Sequence, residues 1–405
     1  MEKDLDKNRV LIFAKYIPPI YSGAGLQALK HAEILNQKDL NAEILTVKTA
    51  VNDTKSEESE SSETKIHNIY SRQTESRLGE LFLSLQICHW IFKNRNNYDL
   101  YVFFGINLIV YLPIFLLKIL LNKKIALRAT LVGTDDLESI SREKLGRIKI
   151  HIILLADYYM AISKHIYQIT QEELKKFKTN MRAILIRNPV DYSYYFPLQS
   201  KSKRDALREK YKLSTNQFVV ITIGFFSERK QIHQIIETCR HLRLFHKDNL
   251  KFLMICKSNS ESFSEDNNTY IDYCHELVEK YDLGRSIEFF EEGNVREMLR
   301  ISDVFIFASL QEGCPNSVLE AKSIGLPVYI FDRDWLSTDI LESNVDGFIL
   351  NNNNPKDMAK LIINSSKDRD RISENAKSLI KDKYNTHQVF KGYIDIIKDK
   401  DISIN

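Results

Sequence analysis

The chain has 405 residues, more than one ordinary core needs, so two domains of about 200 residues are the natural expectation. Hydrophobic residues make up 43% and charged residues 27%, which excludes an intrinsically disordered chain. Fifty-seven basic against 54 acidic side chains leave a formal net charge of +3, which argues against bulk nucleic-acid binding.

The N-terminus, MEKDLDKNRV, is charged and lacks an apolar signal core. Short apolar runs then predict strands at Val10–Ala14, Ala42–Val47, Lys65–Tyr70, Leu100–Phe104, Lys124–Ala129, Tyr159–Ile162 and Ala183–Ile186, with helices such as Leu26–Gln37 and Arg77–Phe92 between them. Asn52–Thr64, NDTKSEESESSET, is acidic and serine-rich and reads as a solvated loop. Val102–Leu121 has the length of a membrane span, but Gly105, Asn107, Pro113 and Lys118 divide it into a buried strand, a turn and a mostly buried helix. From Lys118 to Arg187 there are fourteen Lys/Arg against seven Asp/Glu, so the basic charge is local. Pro residues and a polar run after Asn188 mark a boundary at 195–203. The second half repeats the rhythm with strands at Phe218–Ile223, Phe252–Cys256, Ile287–Phe290, Val304–Phe307, Pro327–Phe331 and Gly347–Leu350, and the chain closes on a helix, Thr386–Lys398. Continuous apolar strands alternating with helices predict α/β domains with parallel sheets covered on both faces. The expected division is 1–197, 198–385, and a 386–405 helix packing back on the first domain.

Cys88, Cys239, Cys256, Cys274 and Cys314 are odd in number, widely spaced and without a CxxC pair. That speaks against a disulfide framework or structural zinc and for a reducing, cytoplasmic setting.

Three segments carry chemistry. Ser309–Val328, SLQEGCPNSVLEAKSIGLPV, follows a buried strand and holds Glu312 and Glu320 eight positions apart, with Gly313 and Pro315 between. Pro315 suits the first turn of a helix, which puts Glu312 on the loop and Glu320 about one and a half turns in. The amides of Cys314, Asn316 and Ser317 would then lie at a helix N-terminus, suited to a diphosphate or sugar hydroxyls. A carboxylate can grip vicinal hydroxyls through two charge-assisted hydrogen bonds. Ile223–Gln231, IGFFSERKQ, offers Gly224, Arg229 and Lys230 after another strand. Pro18–Gly25, PPIYSGAG, puts Gly23, Ala24 and Gly25 at a turn opening a helix, where backbone can approach a phosphate.

The Ser309–Val328 segment resembles the E-x7-E motif of retaining glycosyltransferases of family 4. Their fold is GT-B: two Rossmann-like domains with parallel sheets facing a central cleft. The resemblance implies that Glu320 holds the donor ribose and that Glu312 contacts the transferred sugar. In the same family the turn after the second domain's first strand reads Gly-Arg-x-x-x-x-Lys-Gly, and its Arg and Lys bind diphosphate. Gly224 and Lys230 match, Phe225 stands where Arg is expected and Gln231 where the second Gly is; Arg229 is the candidate replacement charge. PPIYSGAG resembles the N-terminal Gly-Gly loop, with Ser22 replacing one Gly and Gly23 the residue matched. Asn188-Pro-Val-Asp191 with Phe196-Pro197, and Asp332, Asp339 and Asp346-Gly347-Phe348, resemble further family blocks. Cys256 departs from a usual Gly, and the first-domain histidine often seen in the family has no match. There the chain reads RATLVGTDD, and Thr130, Asp135 and Asp136 would either face an acceptor or cap the loop.

The resemblance implies a metal-independent hexosyl transfer without a separate cofactor, from a UDP- or GDP-sugar to a glycan or lipid-linked acceptor in bacterial surface-polysaccharide or glycoconjugate synthesis. Lys230 and Glu312 would act at the reacting centre. The donor would sit on Glu320, Lys230, Arg229, Gly224, Gly23, Gly313, Cys314, Asn316 and Ser317. The basic, apolar stretch around 107–149 would suit peripheral contact with an anionic membrane. Two other functions fit the same donor site: a sugar-nucleotide epimerase, and a non-catalytic sugar-nucleotide-binding subunit, which Phe225 favours.

Overall fold

The structure, a computed structural model, describes residues 9–18, 20, 22–49, 64–71, 76–257, 265–291 and 293–399. The acidic stretch 52–64 therefore lies outside the described residues apart from Thr64. The chain forms two compact units, Met1–Pro189 with Thr386–Asn405, and Val190–Asn385.

The first unit runs β1 (Val10–Ala14), α1 (Gly23–Asn36), β2 (Ala42–Thr49), β3 (Ile66–Ser71), α2 (Arg77–Lys93), β4 (Leu100–Phe104), α3 (Tyr111–Phe115), β5 (Lys124–Arg128), α4 (Leu137–Arg142), α5 (Gly146–Ile153), β6 (Tyr158–Ala161), α6 (Lys164–Lys176) and β7 (Arg182–Leu185). Its strands form one parallel sheet in the order β3-β2-β1-β4-β5-β6-β7. All five residues of β1 and of β4 are buried, as expected of strands covered on both faces. The long apolar stretch 102–121 divides at Gly105, whose φ of +89° turns the chain out of β4. It continues as a 3-10 turn, α3 and a π-wound turn at Leu116–Leu120. Among the described residues no helix is long and apolar enough to cross a membrane.

The second unit runs α7 (Lys201–Lys210), β8 (Phe218–Phe225), α8 (Ile232–His246), β9 (Leu250–Lys257), α9 (Glu265–Lys280), β10 (Ile287–Phe290), α10 (Val295–Ile301), β11 (Val304–Phe307), α11 (Asn316–Ile324), β12 (Val328–Phe331), β13 (Phe348–Leu350), α12 (Pro355–Asn364) and α13 (Arg369–Lys383). Its sheet is also parallel, in the order β10-β9-β8-β11-β12-β13. Strand order reverses at β8, which lies between β9 and β11. Residues 190–197 are held by this unit: Val190 N donates to Tyr384 O at 2.8 Å, and Arg300 Nε to Phe196 O at 2.8 Å.

The closing helix α14 (Thr386–Ile397) returns to the first unit. Val389, Tyr393 and Ile396 are buried there in the core built on β1, β4 and α1. Gly392 lies so close to Ile186 that a Cβ would sit 2.6 Å from its terminal methyl. Lys124 Nζ donates to Ile396 O and Ile397 O at 3.1 Å each, placing a cation at the negative end of the helix. Tyr393 OH lies 3.1 Å from His31 Nδ1, and burial holds the His31 imidazole well below its ordinary pKa, so it packs as a neutral ring.

Candidate functional site

In an open parallel sheet, loops leaving the carboxyl ends of adjacent strands meet where strand order reverses. In the second unit those strands are β8 and β11, with Val220 beside Val304. The loop after β8 carries Arg229 and Lys230, and the loop after β11 carries Glu312. Backbone ties join the two: Leu310 N donates to Arg229 O at 2.8 Å, and Ser309 Oγ to the same oxygen at 3.3 Å.

Glu312 stands between both cations. Lys230 Nζ donates to its Oε1 at 2.6 Å and Arg229 donates to the same oxygen at 2.9 Å. Arg229 also reaches Gln311 O at 2.5 Å. The carboxylate and the Lys230 side chain are 11% and 12% exposed, against 35% for Arg229, so one cation is enclosed and the other stays at the rim. Burial alone would push the Glu312 carboxyl up, but Lys230 and Arg229 outweigh it and hold it below the ordinary glutamate range. Burial depresses the Lys230 ammonium, with Glu312 opposing. Two cations against one carboxylate leave the cluster with net positive charge.

β8 extends two residues past the expected end at Ile223, so Gly224 lies in the strand beside Cys256. The Lys230 stem crosses Gly224, where a Cβ would touch its Cδ at 3.5 Å. The ammonium sits 5.2 Å from the Phe307 ring centroid. Cys256 is buried and its thiol is pushed up by burial, so it packs as an apolar side chain. Gln231 adopts φ +52°, ψ +42°, the left-handed conformation that glycine takes without cost.

After Glu312, Gly313 and the buried Cys314 lead to Pro315, and α11 starts at Asn316 and Ser317. Pro315, in the N-cap position, makes no side-chain capping hydrogen bond. Glu320 is buried on the second turn. The helix is pinned at its far end by Lys322, whose Nζ lies 3.0 Å from Asp346 Oδ2 and donates to Ile340 O at 2.6 Å. Sequence reasoning did not single out Lys322, Phe307, Ser309 or Trp335, whose Nε1 donates to Ser309 O at 3.2 Å. For Ser309 the signal was its place at the head of the motif; for the other three only folding brings the partners together.

Gly23 is the first residue of α1 in the first unit, and a Cβ there would meet nothing within 4 Å. Gly25 is the constrained position: its Cβ would lie 1.9 Å from Tyr16 O. Ser22 caps α1 by accepting from Gly25 N at 3.2 Å. Asp135 and Asp136 organise their loop. Asp135 accepts from Thr130 N at 2.7 Å and Leu131 N at 2.8 Å, and Asp136 caps α4 through Ser139 N at 2.9 Å. Burial pushes the Asp135 carboxyl up to about 6, with the Leu131 and Thr130 donors opposing.

Residues 203–383 match the family model described as glycosyl transferases group 1. An uncharacterized glycosyltransferase of Methanocaldococcus jannaschii is 26% identical over 204 residues, 50% of this chain and 47% of that protein. The chain thus matches about half the length of that relative. The N-acetyl-α-D-glucosaminyl L-malate synthase of Bacillus anthracis is 22% identical over 293 residues, 70% of this chain and 71% of its own length. Among solved structures, HepE from Anabaena, crystallised with UDP and glucose, superposes with a TM-score of 0.75 at 16% identity, covering 97% of this chain and 100% of HepE. That likeness establishes the two-domain α/β fold of the GT-B type. The residues matched by that family model fall within the second unit, Val190–Asn385, and include both loops of the Glu312 cluster.

Proposed function

We propose that the protein is a retaining glycosyltransferase that moves a hexosyl group from a nucleotide sugar, UDP- or GDP-linked, to a glycan or lipid-linked acceptor in bacterial surface-polysaccharide or glycoconjugate synthesis. The observation that carries this is the convergence of Lys230 and Arg229 on Glu312 at the strand-order reversal of the unit that the group 1 family model matches. The second unit takes the donor. Lys230 and Arg229 exchange part of their contact with Glu312 for the diphosphate, and the Cys314–Ser317 turn adds a helix N-terminus. These groups stabilise charge growing on the leaving diphosphate. Gly224 lies against the Lys230 stem, and Gly313 follows Glu312 on the loop into α11. Glu320 accepts from the ribose hydroxyls and Glu312 from the transferred sugar. The first unit takes the acceptor. HepE's complex with UDP and glucose supports a UDP-sugar as the first donor to try.

The reaction needs no metal, so chelation with EDTA is expected to leave turnover unchanged. A lipid-linked acceptor would bring the protein to the cytoplasmic face of the membrane as a peripheral protein. Nucleotide sugars screened by thermal shift are expected to show one that stabilises the protein, with the shift lost in Glu320→Ala. With that donor, a product bearing the retained anomeric configuration, formed only when acceptor is added, supports transfer. Conversion of the donor alone would make the protein an epimerase. Stabilisation without turnover across glycan, lipid-linked and malate acceptors would make it a binding subunit.

A further inference from the structure

The outer face of α2 is apolar where a water-facing helix should be polar. Leu78, Leu81, Phe82 and Leu85 recur at helical spacing and are 79%, 53%, 61% and 51% exposed, while Leu83, Ser84, Ile87 and Ile91 on the opposite side are buried. The stripe continues to Phe92 at the C-terminal end. α3 packs against both α2 and α5. These neighbours add Phe115, just beyond it Ile119 and Leu120, and on α5 Ile148, all exposed. Single exposed apolar side chains are ordinary, but a stripe along one helix joined by its neighbours marks a docking surface.

The charges say what docks there. Arg77 and Lys93 stand at the two ends of the α2 stripe, and Lys144 and Arg147 are exposed on the α5 side. The acidic residue within α2, Glu80, is half-buried and faces Lys15 at 3.7 Å. An apolar face flanked by cations matches the acyl boundary and anionic headgroups of a bilayer. A second copy fits worse: pairing this face with itself would bring Arg77 and Lys93 against like charges. We infer that the α2–α3–α5 face of the first unit docks on an anionic lipid surface, with the α2 stripe inserted among the acyl chains. This rests on the peripheral reading above, but moves its apolar anchor outside the 107–149 stretch to α2.

The test is co-sedimentation of the full chain with phosphatidylglycerol-containing vesicles and with pure phosphatidylcholine vesicles, at low and high salt, alongside size-exclusion chromatography without lipid. Binding is expected to the anionic vesicles, weakened by salt. Leu81→Ser/Phe82→Ser should lower the partition coefficient by about tenfold or more, since each side chain is returned to water. Arg77→Gln/Lys93→Gln should remove much of the preference for anionic lipid. Both pairs are exposed, and an unchanged melting temperature confirms folding. Absence of vesicle binding by the wild type, or binding unaffected by Leu81→Ser/Phe82→Ser, overturns the proposal. A dimer that this variant dissolves, with no vesicle binding, overturns it in favour of a second copy. Donor-induced thermal stabilisation is measured without lipid, so failure of the surface and failure of the transferase reading are separate results.

Discussion

Glu312 holds two cations with one oxygen, and a donor diphosphate would compete for both. The enclosed Lys230 has less room to be replaced by water than Arg229 at the rim. Lys230→Met is therefore expected to lower turnover by about 10²–10³-fold, with a smaller loss for Arg229→Gln. Single-turnover rates at saturating donor check the order, and a larger loss at Arg229 would reverse the assignment. Gln231 is a separate matter of backbone. Its left-handed conformation costs a side-chain-bearing residue about 1–2 kcal/mol, so Gln231→Gly should raise stability to denaturant by up to that amount, reduced by glycine's greater unfolded entropy. The sequence showed Phe225 in place of an expected Arg and Gln231 in place of a Gly, and named Arg229 as a substitute. It did not show where the Arg229 guanidinium points, because that depends on Gln311 O arriving on a loop 82 residues away. Glu312 and Lys230 were legible from local motifs, and their 2.6 Å contact was not.

At the scale of elements, α11 depends on a buried ion pair. Lys322 and Asp346 are 0% and 1% exposed, and burial depresses the Lys322 ammonium with Asp346 opposing. Removing one partner strands the other, so Lys322→Ala is expected to cost about 3–5 kcal/mol in the second unit, measured by equilibrium unfolding. In the first unit, α6 carries Glu173, whose Oε2 is buried without a hydrogen-bond partner among the described residues. Burial first, then Asp136 and Glu138, push its carboxyl up to about 7, with Lys176 opposing. A carboxyl raised on folding gives stability that is complete below about pH 4, the unfolded glutamate value, and lost as pH rises through the folded value. The melting temperature should therefore fall between pH 5 and 8, and Glu173→Gln should flatten that decline. Thermal melts across the range decide, and an unchanged slope in the variant refutes it. Strand positions were legible because burial on both faces leaves continuous apolar runs, and β1, β4, β10 and β11 begin and end where those runs do. The 102–121 stretch was divided correctly at Gly105, but its π-wound turn had no sequence signal. Lys322 reads in sequence as a surface lysine, and only its partner 24 residues on makes it internal.

For the whole molecule, the alternation of strands and helices was enough to expect two parallel α/β sheets. The side chains exposed on α2 were not anticipated, because amphipathic spacing shows that a helix has two faces and not that both will be apolar. The closing helix gives a test at this scale. α14 buries Val389, Tyr393 and Ile396 against the first core, each worth about 1.5–3 kcal/mol. A chain truncated after Asn385 should lose the first unit while the second stays protected, visible as a protease-resistant fragment close to 190–385. Equal digestion of both units would show that α14 is dispensable.

The same return of the chain sets an order of maturation. Val190 and Tyr384 share a hydrogen bond of 2.8 Å, so the second unit begins and ends at one point and can close on itself as soon as residue 384 is available. The first unit, although its strands are synthesised earlier, must wait for Thr386 onward before His31 meets Tyr393. During translation the half made first is thus the half finished last, and its unsealed core is where a nascent chain would most need a chaperone.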